Sequence, residues 1–96
     1  MTNANEQSLK DALLQMVEHY RLRSRLTQVR INKCWATVMG PSIAQYTSDI
    51  KVRKNKLFVT ITSAALKQEL SYGKDKILRN LNDELGEDLI TDIEIR

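Results

Sequence analysis

The chain has 96 residues, of which 42% are apolar and 28% charged, with a net charge of +3; this suits one packed domain near the small end of the usual range and is too apolar for intrinsic disorder. Its single cysteine, Cys34, excludes an internal disulfide, no charged-then-apolar leader opens the sequence, and no apolar run approaches the ~20 residues that span a bilayer. The expected setting is the cytoplasm, with no membrane role.

Residues 1–7 are polar and are expected to form a flexible terminus ahead of a single domain over residues 8–96. Ser8, with Asp11 three positions on, reads as the N-cap of a first helix that runs to about Leu22. Its apolar positions Leu9, Leu13, Met16, Val17 and Tyr20 form one stripe, expected to face a core. Arg21 to Arg25 is a basic link. A second helix starts near Leu26, carries Ile31, Cys34, Trp35, Val38 and Met39 on one face, and stops at Gly40-Pro41. Pro41 to Tyr46 is then a short third helix or a helical turn.

From Ser48 the period changes to two. Ile50 and Val52 alternate with Lys51 and Arg53, and Leu57, Val59 and Ile61 alternate with Phe58, Thr60 and Thr62, with Lys54-Asn55 between the runs as a tight hairpin turn. The second strand is β-branched on both faces and reads as central, with the first strand nearer a charge-guarded edge. Ser63 caps a long helical pattern marked by Leu66, Leu70, Ile77, Leu81 and Leu85 and ending at Gly86, with Gly73 as a kink or a junction of two helices. Leu89 to Ile95 is a last strand, expected to cross over right-handedly. The fold class is α+β: two N-terminal helices, a short helix, a hairpin, a long and breakable helix, and a final strand in a three-stranded sheet. From the second helix onward this is the element order of the type II KH fold, whose Gly-x-x-Gly loop here reads Gly73-Lys74-Asp75-Lys76 and lacks its second glycine.

The small net charge conceals a basic middle. Arg21 to Arg79 holds thirteen Lys or Arg against Asp49, Glu69 and Asp75, for +10, whereas Asn80 to Arg96 amounts to −5 and the first twenty residues to −2. Clustered cations of this kind suit a polyanion, whose condensed counterions they replace; the competing reading is solvated helix faces. Lys51, Arg53, Lys54 and Lys56 at the hairpin tip are the first choice for phosphate contact, against edge-strand protection as the alternative. Arg21, Arg23, Arg25 and Arg30 form a second cluster, and Lys74, Lys76 and Arg79 a third, where a KH clamp would sit. Trp35 shares its face with Ile31 and Val38 and reads as core, Phe58 and Tyr72 are open as stacking or docking surfaces, and Cys34 reads as a small buried hydrophobe. His19 stands alone, without a second histidine or a cysteine pair, so no metal site is expected. No motif of an enzyme, cofactor or small-molecule substrate is present.

The block Trp35-Ala36-Thr37-Val38-Met39-Gly40, then Ile43-Ala44, Leu57-Phe58-Val59, Ser63 with Gln68-Glu69-Leu70, and Ile77 to Gly86 ending in Ile93-Glu94-Ile95-Arg96, resembles the DciA-like family of bacterial replication proteins. The resemblance covers roughly Leu9 to Arg96 and rests on packing motifs. It departs from the family at Ala65-Leu66, where many members have a Trp. It implies a KH-type domain that binds DNA and assists loading of the replicative helicase, with DNA favoured over RNA and the helicase as a partner. The alternatives are an RNA-binding protein and a protein-interaction adaptor without physiological nucleic-acid binding.

Overall fold

The computed structural model describes the backbone of residues 2–96 and the side chains of residues 5–96. In chain order the elements are α1 (Thr2–Ala44), β1 (Thr47–Arg53), β2 (Lys56–Ile61), α2 (Ala64–Ser71), α3 (Lys74–Leu85) and β3 (Asp92–Ile95). This is an α+β fold with a three-stranded mixed sheet in the order β1-β2-β3, β1 antiparallel and β3 parallel to the central β2. The hairpin and the central position of the second strand are therefore as the alternation of residues predicts. The final strand is Asp92–Ile95, shorter than the expected Leu89 to Ile95, because the backbone of Ile90 is taken by the Asn82 side chain and Thr91 N by Asn55 O.

The N-terminal half departs from expectation. In place of two helices joined by a basic link there is one rod, α1, whose only non-helical residue is Gly40 (φ 83°, ψ 167°). Nothing between Arg21 and Leu26 breaks a helix: there is no Gly or Pro, and Arg and Leu are good helix formers. Ser8 stands inside the rod and caps nothing. Of the flexible terminus expected over residues 1–7, Met1 and the side chains of residues 2–4 lie outside the described residues. Gly40 reaches a backbone region open essentially to glycine, Pro41 restarts the chain, and Gln45 N donates to Pro41 O at 3.0 Å to close one last turn.

The apolar stripe Leu9, Leu13, Met16, Val17 and Tyr20 does not face a core; all five side chains are exposed. The sheet and the two later helices cover α1 only from about Thr27 and Gln28 onward, so the described chain has nothing left to lay over the turns before them. The core lies between one face of the sheet and the helices: Ile31, Cys34 and Trp35 from α1, Leu57, Val59 and Ile61 from β2, Leu70 from α2, Ile77 and Leu81 from α3, then Ile90 and Ile93. The strict alternation of buried residues along β2 leaves Phe58 and Thr60 on the other, uncovered face.

Two side chains lock the layers. Gln28 Nε2 donates to Ile50 O at 2.8 Å and its Oε1 accepts from Val52 N at 3.3 Å, so α1 occupies the outer edge of β1 that would otherwise invite another strand. Asn82 on α3 donates to Ile90 O at 2.8 Å and accepts from Ile90 N at 2.9 Å, fixing the lead-in to β3. Ser63 caps α2 by accepting from Leu66 N, as its position predicts, and Gly86 closes α3 in the left-handed conformation (φ 77°). The long helical pattern is two helices meeting at Tyr72-Gly73.

Candidate nucleic-acid interface

The hairpin turn has both central residues at positive φ, Lys54 at 49° and Asn55 at 67°, the backbone of a two-residue turn that matches strand twist. Asn55 O accepts from Thr91 N at 2.8 Å, which ties the turn to the β3 side as well. A tip held this way presents Arg53 and Lys54 at a fixed place beside α1. Between them runs an open groove of about 710 Å³, walled by Tyr20, Arg23, Ser24 and Thr27 of α1, by Val52 to Asn55 of the hairpin, and by Leu89. The structure thus brings two of the basic clusters together, through Arg23 on one wall and Arg53 with Lys54 on the other. None of these three has an ion-pair partner among the described residues.

The remaining cations of those clusters go elsewhere. Lys51 lies on the uncovered sheet face, where with Arg53, Phe58 and Arg96 it lines a small depression of about 100 Å³. Lys56 pairs at 3.5 Å with both Asp92 and Glu94 of β3, which offsets the repulsion from Arg53 directly opposite it in the hairpin register. Arg30 donates to Leu85 O at 3.1 Å and pairs with Glu87 at 3.5 Å, so it serves the C-terminal end of α3. Arg21 and Arg25 are exposed on α1, outside the groove. Lys74, Lys76 and Arg79 line a separate open cleft of about 520 Å³ with Ser71, Tyr72, Gly73 and Asp75 at the α2–α3 junction. Tyr72 is 80% exposed there, its hydroxyl accepting from Gln68 Nε2 at 3.1 Å.

The aromatic residues separate cleanly. Trp35 is 1% exposed and its Nε1 donates to Thr47 Oγ1 at 3.0 Å, so it is core with its one polar atom satisfied. Phe58 lies under two cations, the Arg96 guanidinium 4.6 Å and the Lys56 ammonium 5.3 Å from its ring centre. Arg96 in turn binds Glu94 at 2.7 Å, and this hydrogen bond holds the Glu94 carboxyl below the usual glutamate range. Cys34 is buried, its thiol donating to Leu81 O at 3.4 Å; desolvation, aided by the charge of Glu84, pushes its pKa up. Sequence reasoning missed Tyr20 and Leu89 as groove residues and Arg96 as a cation of the open face; the alternation along β3 carries the signal for Arg96, and nothing local carries one for the other two.

Residues 8–95, nearly the whole chain, match the family model described as Dna[CI] antecedent, DciA. The chain belongs to the DciA family. This family is associated with loading of the replicative helicase, a role in DNA replication and not a known enzymatic one, which gives this DciA-family chain its functional context and a helicase as its associated partner. No curated protein and no solved structure matches it. No helix of the described residues is long and apolar enough to cross a membrane.

Proposed function

We propose that this DciA-family chain is a non-enzymatic, KH-like nucleic-acid-binding domain of the cytoplasm that takes DNA in preference to RNA while it assists helicase loading. The observation that carries the proposal is the groove in which Arg23 faces Arg53 and Lys54 with no carboxylate set against them. Cations left unpaired on both walls of an open channel suit a phosphate backbone passing between them, and Tyr20 on the same wall offers a stacking face. Contacts of this kind are to phosphate, so binding is largely independent of sequence, with affinity on the order of micromolar and strongly salt-dependent. The KH-like reading is supported by the order helix, hairpin, helix pair, strand, with Gly73 to Lys76 at the helix junction. Preference for DNA follows from the replication context of the family.

The test is fluorescence anisotropy with labelled single-stranded DNA, duplex DNA and single-stranded RNA. Charge reversal in the groove (R23E/R53E/K54E) is expected to weaken DNA binding at least about tenfold, since each lost phosphate contact removes a counterion-release contribution. Reversal at the helix junction (K74E/K76E/R79E) separates a groove site from a KH-style clamp: if only the latter abolishes binding, the groove is the wrong site. A protein-interaction role has its own support, in the exposed apolar stripe of α1.

A further inference from the structure

The exposed stripe of α1 has a spacing that says more than amphipathicity. Leu9, Leu13, Met16 and Tyr20 recur at intervals of four, three and four, the alternating a and d positions of a coiled-coil seam, and they are 63%, 53%, 66% and 72% exposed. The same helical face continues through Thr27 to the buried Ile31 and Cys34, so the seam is the core-facing side of the rod where the fold runs out of partners. Leu22, Leu26 and Val29 are exposed on a different face and take no part in it.

We infer that the occupant of this seam is the α1 rod of a second copy, packed antiparallel about a two-fold axis between Leu13 and Met16. In that register each residue meets one whose number completes a sum of 29: Leu9 against Tyr20 and Leu13 against Met16, at both ends alike. The next seam positions outward set Glu6 of one copy against Arg23 of the other. Charge decides the direction. The first twenty residues carry −2 and the stretch with Arg21, Arg23 and Arg25 is basic, so antiparallel packing joins opposite ends, whereas parallel packing would set Glu6 on Glu6 and Arg23 on Arg23. The span from Glu6 to Arg23 is 18 residues, roughly 27 Å at 1.5 Å per residue. In the same register the beginning of one rod arrives at the basic groove walled by Tyr20, Arg23, Thr27 and Lys54 of the other, acidic end to basic mouth. The pairing does not depend on nucleic-acid binding and stands or falls separately from it.

Sedimentation equilibrium of the full chain over a concentration series tests it. The expected result is a mass rising to about 22 kDa, twice the 11.1 kDa of one chain. L13E/M16E is expected to stay at one chain's mass while keeping the buried-tryptophan fluorescence of Trp35, because neither side chain touches the core. R23E is expected to weaken association about tenfold and E6R/R23E to restore it, as a charge swap across one interface must. Under oxidation, a mixture of L9C and Y20C chains gives the crossed disulfide while L9C alone gives none. A chain that remains monomeric at every concentration, a dimer that survives L13E/M16E, or efficient coupling of L9C to itself would each overturn the inference.

Discussion

Asn82 carries more of the fold than its polar character suggests. Its amide makes both a donated and an accepted bond to the backbone of Ile90, one strand-like rung supplied by a side chain. Removing it in Asn82→Ala leaves a part-buried N–H and C=O to find water, so thermal unfolding should report a loss of about 1–3 kcal/mol. Glu94 offers a pH test. Arg96 lowers its folded pKa, so the stability it contributes is fully present above the ordinary value of 4.5 and is lost as pH falls through the lower folded value. An NMR titration of the Glu94 carboxyl should inflect below 4.5 and move upward in Arg96→Ala; an unchanged inflection would show that the ion pair does not form in solution. Residue by residue, Trp35, Cys34 and the Lys54-Asn55 turn were legible in the sequence, since burial patterning and turn chemistry are local. The fates of Arg30 and Lys56 were not, because their carboxylate partners Glu87, Asp92 and Glu94 lie far along the chain.

At the scale of elements, the hairpin and the broken α2–α3 pattern follow from period and punctuation, with Ser63, Gly73 and Gly86 marking the ends of the two helices, while the last strand occupies only Asp92–Ile95 of its alternating run. The arginines from Arg21 to Arg25 have the look of a link between two helices, yet α1 passes through them unbroken, because Arg is a good helix former and only Gly40 departs from helical backbone within α1. Gly40→Ala should therefore cost about 1–3 kcal/mol of stability, since φ 83° with ψ 167° is nearly closed to a side chain, and calorimetry decides it. Gln28 is the pin between rod and sheet. Gln28→Ala keeps every charge of the groove yet frees the edge of β1, so amide exchange at Val52 should quicken and DNA affinity should fall with it. Unchanged exchange at Val52 would mean that the hairpin holds its place without α1.

For the whole molecule, the extents of 64 × 25 × 19 Å describe a small two-layer domain with a long helical arm. A sequence can show that the arm is amphipathic but not that its apolar face goes uncovered, because that depends on how far the sheet and later helices reach along the rod. The groove was illegible for the same reason: Arg23 and Lys54 are distant in sequence and meet only because the hairpin folds back beside α1. The proposed pairing of arms and the proposed DNA contact would both use Arg23, so if both hold, adding single-stranded DNA at low salt should lower the dimer mass in sedimentation, a competition that neither site alone would produce. The salt dependence of single-stranded DNA binding reads the groove most directly, with log K plotted against log salt for the native chain and for R23E/R53E/K54E. Three phosphate contacts from the groove predict a native slope steeper than that of the variant by about 2, at roughly 0.7 per phosphate released. Parallel lines with equal slopes would show that Arg23, Arg53 and Lys54 do not meet the phosphates, and the groove would cease to be the interface.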